Sequence, residues 1–136
     1  MSPPSESPMT LLLDTNALIW WYFDSPKLSR AAYARIAANQ EPVHVSAASA
    51  WEIATKVRIG KMPQGRPLAE NFAAYLQVQS FQPLPISIAH ARLAGAISSP
   101  HKDPFDRLLA AQAQCENLTL VTADQAFSTL GVSIFW

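Results

Sequence analysis

The sequence predicts a single α/β domain in three layers, a parallel sheet of five strands with helices on both faces. Two observations carry this. Five short apolar runs are spread along the 136 residues, and each is separated from the next by helical patterning. No internal repeat and no shift of composition marks a second domain.

"TLLLDT" (10–15) is a short apolar run that reads as the first buried strand. "ALIWWYF" (17–23) follows as a helix, closed by "DSPK". "LSRAAYARIAANQ" (28–40) is an amphipathic helix. "PVHVS" (42–46) is the second strand, and Ser46 is a good N-cap for the helix "AASAWEIATKVRIG" (47–60), which ends in glycine. "KMPQGRP" (61–67) reads as a loop and "LAENFAAYLQVQS" (68–80) as one helix. "FQPLPIS" (81–87) holds a third strand, which its two prolines leave only partly laddered. "IAHARLAGAISS" (88–99) is helical, and "PHKDPFDR" (100–107) is a loop that starts the next helix, with Pro104 in the first turn. That helix runs through "LLAAQAQCEN"; "LTLVT" (118–122) is a strand, "ADQAFSTL" a short helix and "GVSIFW" (131–136) the last strand.

Composition bounds the function. No apolar run approaches the roughly 20 residues of a membrane helix. The N-terminal "MSPPSESPM" (1–9) has no basic region and no apolar core of a secretory signal, and reads as a flexible tail before a domain spanning 10–136. One cysteine, Cys115, cannot form an internal disulfide, which fits a reducing cytoplasm. Ten basic and ten acidic residues give zero net charge, which taken alone argues against a nucleic-acid binder.

Ligands of such folds sit beyond the carboxyl ends of the strands, where the strand order reverses. Asp14 lies at the end of the first strand, Asp124 two residues past "LTLVT", and Glu52 in the helix after the second strand. Asp103 and Asp106 open the helix that feeds "LTLVT". Singly, each has an ordinary explanation: a helix cap for Asp14 and Asp124, an exposed pair with Lys56 for Glu52, a favourable helix terminus for Asp103 or Asp106. Together they place the acids at one edge of the sheet, where they repel and protonate unless a cation holds them. An all-oxygen set with no His or Cys among it suits Mg²⁺ or Mn²⁺.

"LLLDTNALI", "SAASAWEIATK", "HKDPFDRLLAAQA" and "LTLVTADQAF" together resemble the PIN-domain ribonucleases, closest to toxins of the VapC type. The resemblance runs from residue 10 across nearly the whole chain, with four motifs in family order. It implies a five-stranded parallel sheet in the order 3-2-1-4-5. It also implies Asp14, Glu52, Asp106 and Asp124 as the metal-holding and catalytic acids, with Asp103 as an extra or supporting group. The activity it implies is Mg²⁺-dependent hydrolysis of RNA phosphodiesters by in-line attack of water, leaving a 3′-hydroxyl and a 5′-phosphate. Asp14 is then the central ligand, Asp106 its partner, and Glu52 or Asp124 orients the water. Thr15, Asn16 and Thr122 have the chemistry to hold a carboxylate or a phosphate, or equally to cap and bond turns. The same resemblance implies a small antitoxin covering the site and a homodimer.

If those five acids face one pocket, only five of the ten remain to balance ten Lys and Arg, so the exterior is basic. Lys56, Arg58, Lys61 and Arg66 form an acid-free strip suited to phosphate contacts, or simply a solvated helix end. The aromatic run "WWYF" (20–23) reads as core packing, with a partner surface as the alternative. His44, His90 and His101 are scattered and none reads as a ligand, although His101 lies two residues from Asp103. A phosphatase of the haloacid dehalogenase type needs Asp-x-Asp at the first strand, where this chain has "DTN". A receiver domain needs an Asp closing the third strand, and "FQPLPIS" has none. A housekeeping nuclease and a non-catalytic binding domain of the same fold remain the alternatives.

Overall fold

The structure, a computed structural model, describes residues 9–136. The expected N-terminal tail, Met9 apart, lies outside the described residues. Five parallel strands form one sheet in the order β3-β2-β1-β4-β5. They are β1 (Leu11–Leu13), β2 (Val43–Ser46), β3 (Gln82–Leu84), β4 (Thr119–Val121) and β5 (Ile134–Phe135). The helices are α1 (Thr15–Tyr22), α2 (Arg30–Ala38), α3 (Ala47–Arg58), α4 (Arg66–Glu70), α5 (Phe72–Gln79), α6 (Ile88–Ala96) and α7 (Pro104–Glu116). The predicted three-layer α/β architecture and strand order are both present.

β1 is buried along its whole length because a central parallel strand is covered on both faces. Its side chains alternate. Leu11 and Leu13 join the core under α1, α2, α4 and α5, whereas Leu12 joins the core under α7. Pro83 is tolerated in β3 because that strand lies at the sheet edge.

Several boundaries differ from the sequence reading, each for a local reason. α1 begins at Thr15, since Asp14 caps it by accepting from the Ala17 amide. α2 begins at Arg30, after the Ser29 cap. The single helix expected over 68–80 is two helices that break at Asn71, whose backbone (φ −122°, ψ 33°) leaves the helical region while its amide and its side chain both donate to the Pro67 carbonyl. The loop expected at 61–67 contains a 3-10 turn, Pro63–Gly65, and the start of α4. The short helix after β4 is 3-10, Gln125–Leu130, and stops at Gly131, whose φ of 74° suits glycine.

The run "WWYF" is mostly core, in line with its expected packing role. Trp21 packs 5.2 Å from Tyr33, Tyr22 packs 5.1 Å from Tyr75, and Trp20 lies 5.7 Å from Trp136. Only Phe23 of the run is exposed. Among the described residues, no helix is long and apolar enough to cross a membrane.

A buried glutamine locks α7 to the strand ends. Gln112 is fully buried; its Oε1 accepts from the Ser46 hydroxyl at 2.5 Å and its Nε2 donates to the Pro85 carbonyl at 3.2 Å. The Ser46 oxygen also caps α3 through the Ala48 amide. One side chain therefore ties together the ends of β2 and β3 and the helix that carries Asp106. Gln112→Leu keeps the volume but orphans the Ser46 hydroxyl and the Pro85 carbonyl. It is expected to cost about 1–3 kcal/mol in urea unfolding. A loss too small to measure would show that this bridge carries no stability.

Candidate active site

The strand order reverses between β1 and β4: the chain steps outward through β2 and β3 on one side, and through β5 on the other. Leu13 lies opposite Val121 across that seam, and the Asp14 amide donates to the Val121 carbonyl at 3.1 Å. Asp14 and Thr122 are therefore paired at the crevice that such a reversal opens. A cavity of about 170 Å³ lies there, lined by Asp14, Thr15, Asn16, Glu52, Asp103, Asp106, Asp124 and Phe127. All five predicted acids thus come together, along with Thr15 and Asn16. Two larger cavities beside α5 and β3 contain no titratable side chain, so size does not mark the chemistry here.

The ordinary explanations and the functional one overlap in these acids. Asp14 Oδ1 caps α1 at 2.6 Å from the Ala17 nitrogen. Asp103 caps α7 by accepting from the Asp106 amide at 3.0 Å, and Asp124 caps the 3-10 turn through Ala126 at 2.9 Å. Each of these caps uses one of the two carboxylate oxygens, and all three residues also line the cleft. Glu52 differs. The alternative pair with Lys56 is not among the ion pairs of the described residues, and Glu52 lines the cleft.

Thr122 is buried behind the cleft rather than lining it, hydrogen-bonds the Asp14 side chain, and accepts from the Asp124 amide at 3.0 Å. Thr15 meets the Ser49 hydroxyl at 3.0 Å and joins α1 to α3. The basic strip lies outside the cleft wall. Arg58 and Lys61 are exposed and Lys56 is half-buried, while Arg66 sits 3.7 Å from Glu70 in a solvent-screened pair.

Asp14 is only 7 % exposed. Burial pushes its carboxyl up to about 6, the Asp106 and Glu52 charges push the same way, and bonds from Thr122 and Ala17 oppose the rise. Burial also raises Asp106, against the hydrogen bond from His101. No Lys or Arg lines the cavity to offset these charges. An all-oxygen donor set with a destabilised central carboxylate fits a hard dication. Among the described residues, no three acidic, His or Cys side chains already converge as a closed ligand set.

The PIN domain family model matches residues 11–132. The chain belongs to the PIN domain family. No curated protein sequence matches it. Among solved structures, this PIN domain is similar to a chain of FitAcB from Neisseria gonorrhoeae, with a TM-score of 0.70 at 22% identity, covering 93% of this chain and 97% of that one. It is similar to a chain of VapBC2 from Rickettsia felis bound to a promoter DNA fragment, with a TM-score of 0.70 at 19% identity and coverages of 94% and 99%. A toxin–antitoxin complex from Klebsiella pneumoniae gives 0.61 at 19% identity, with coverages of 93% and 97%. At these identities the likeness establishes the fold.

Two residues of this PIN domain carry more than the sequence reading gave them. His101, set aside as a ligand, places Nε2 2.9 Å from Asp106 Oδ2, with its ring 6.2 Å from Phe127 in a stacked arrangement. Arg107 was not singled out. Its guanidinium donates to the carbonyls of Ala94 (2.8 Å), Ile97 (2.5 Å), Ser99 (3.3 Å) and His101 (2.7 Å), and so holds the loop that presents His101 and Asp103. Its place beside Asp106 was visible in the sequence, but its four acceptors come from α6 and the loop after it, whose path no motif encodes. The other histidines belong to the scaffold. His44 Nδ1 lies 3.3 Å from the Leu11 carbonyl, and buried His90 contacts Glu116 at 2.8 Å.

Arg107→Lys supplies at most three donors on one point where four carbonyls need a planar fork. It is expected to lower stability by about 1–3 kcal/mol in urea unfolding; an unchanged midpoint would remove the clamp from the account. For Asp14, the folded group keeps its proton to about pH 6, while the unfolded one loses it near 3.8. Its contribution is therefore complete below about pH 4 and lost as pH rises to about 6. The metal-free penalty at pH 7 is on the order of 3 kcal/mol. Asp14→Asn keeps a cap oxygen without the charge. In EDTA at pH 7 it should melt above the native chain, and the gap should close near pH 4. A variant that melts lower at both pH values would overturn the burial argument.

Proposed function

We propose that this chain is a Mg²⁺-dependent endoribonuclease and the toxin of a toxin–antitoxin pair. The observation that carries the reading is the cleft. Five carboxylates from four stretches of the chain line one cavity where the strand order reverses, with no basic side chain among its lining residues. Membership of the PIN domain family and the fold shared with chains of FitAcB, VapBC2 and a toxin–antitoxin complex support the same reading.

Asp14 and Asp106 would be the principal ligands, Asp14 because the central strand fixes it and Asp106 because His101 orients it. Asp124 and Glu52 would complete the set and hold the attacking water. Bound Mg²⁺, or Mn²⁺ in its place, lowers the pKa of water and offsets the phosphate charge. Asn16, exposed at the cleft, can donate to a phosphate oxygen, while Thr15 and Thr122 serve the scaffold. Lys56, Arg58 and Lys61 receive flanking RNA phosphates, and Arg66 contributes least because Glu70 partners it. The activity belongs in the cytoplasm, where a free ribonuclease is toxic. A small antitoxin is therefore part of the reading, with an Arg that forks onto the cleft carboxylates. A homodimer is proposed on the same resemblance.

The purified chain should cut RNA in Mg²⁺, stop in EDTA, and fall to the EDTA level in Asp14→Asn and Asp106→Asn. Calorimetry should show both variants losing Mn²⁺ affinity. Cells expressing the intact chain alone should cease to grow, and Asp14→Ala should relieve them. EDTA-resistant cleavage leaving a cyclic phosphate would mean another chemistry. A soluble, metal-binding chain that cuts RNA but leaves growth unaffected would be a housekeeping nuclease. One that cuts nothing would be a binding domain.

A further inference from the structure

The two helices that supply Glu52 and Asp106 each place an aromatic ring one residue earlier. Trp51 of α3 and Phe105 of α7 meet with ring centroids 4.8 Å apart and planes at 77°. Trp51 is 59 % exposed, whereas Trp20, Trp21 and Trp136 pack against the core. An indole left this open contributes little to folding, and the edge-on contact fixes its orientation without covering it. Thr55 and Arg58 follow Trp51 at four- and seven-residue spacing along α3, so the three share one stripe. The Thr55 hydroxyl is turned back onto the Trp51 carbonyl at 2.8 Å, and Arg58 is exposed. From the cleft outward the surface therefore presents carboxylates, a held aromatic face and a cation.

We infer that Trp51, braced by Phe105, is a stacking platform for an unpaired base beside the acid cleft, with Arg58 receiving a phosphate of the same strand. This rests on the ribonuclease reading and assigns a base-stacking residue beside its cleft. A duplex buries its base faces, whereas an unpaired base offers one to an aromatic side chain regardless of its identity. An aromatic ring with a nearby cation complements base and phosphate together. The platform selects strand geometry rather than sequence.

The test uses the full chain carrying Asp14→Asn, to stop cleavage, and a short labelled single-stranded oligoribonucleotide read by fluorescence anisotropy in Mg²⁺. Adding Trp51→Ala should weaken binding roughly 10-fold or more, and Trp51→Phe should restore most of it. With abasic nucleotides in the strand, the chains with and without Trp51→Ala should bind alike, while Arg58→Ala should still weaken binding and flatten its salt dependence. In the cleavage-competent chain, Trp51→Ala should raise KM while kcat and Mn²⁺ affinity hold. Equal RNA binding with and without Trp51 would overturn the platform and leave the nuclease reading intact. So would a Trp51→Ala chain that loses only a protein partner, which would make the surface a protein interface. Failure of the Asp14→Asn chain to bind any RNA, with the native chain failing to cleave it, would overturn the nuclease reading itself.

Discussion

Asp14 is held almost out of water at the carboxyl end of the central strand, and that placement raises its carboxyl to about 6. The strand itself cannot move to relieve it. Leu11, Leu12 and Leu13 are buried on both faces, with β2 and β4 hydrogen-bonded on either side. A charge fixed in this way destabilises the metal-free chain and favours whatever cation arrives. Stability at this point of the fold is given up for a carboxylate whose position is set by the sheet rather than by a flexible loop.

The remaining acids are brought to Asp14 by elements that already do structural work. α3 leaves β2 at Ser46, whose hydroxyl both caps the helix and reaches Gln112. Gln112 fixes α7 against the strand ends, and Arg107 on the same helix fixes the loop before it. Glu52 and Asp106 thereby face each other across a small cavity from two helices that share one polar bridge. Cap and ligand are compatible roles because a carboxylate has two oxygens. Asp103 and Asp124 can end one element and line the cleft at the same time.

The cleft is small and acidic, and a polyanion does not enter it on charge alone. On the proposed ribonuclease reading, substrate affinity would come from the surface around it, where Arg58 and Lys61 are exposed and Trp51 stands open. Zero net charge therefore misleads as a global argument. What matters is the separation of signs, with half of the chain's ten acids gathered in one cavity.

The sequence by itself determined the layered fold, the five strands and the five acids, because each rests on a local signal. A strand announces itself by an apolar run, and an acid at its end is visible from the run alone. "LLLDTN" and "HKDPFDR" therefore located Asp14, Asp103 and Asp106 without coordinates. Tertiary structure decided what depends on partners distant along the chain. A Glu52–Lys56 pair, the ordinary alternative that the spacing allowed, is not among the ion pairs of the described residues, and Glu52 lines the cleft instead. The break at Asn71 lies in the backbone angles of one residue, which a periodic pattern does not register. His101 gained its role from Asp106, which its spacing permitted but did not require. Arg107 and Gln112 looked like ordinary helix residues, because their hydrogen-bond partners lie 6 to 13 residues and 27 to 66 residues away. Hydrogen bonds across such separations form only when the packed layers bring their ends together, so only the folded chain shows them.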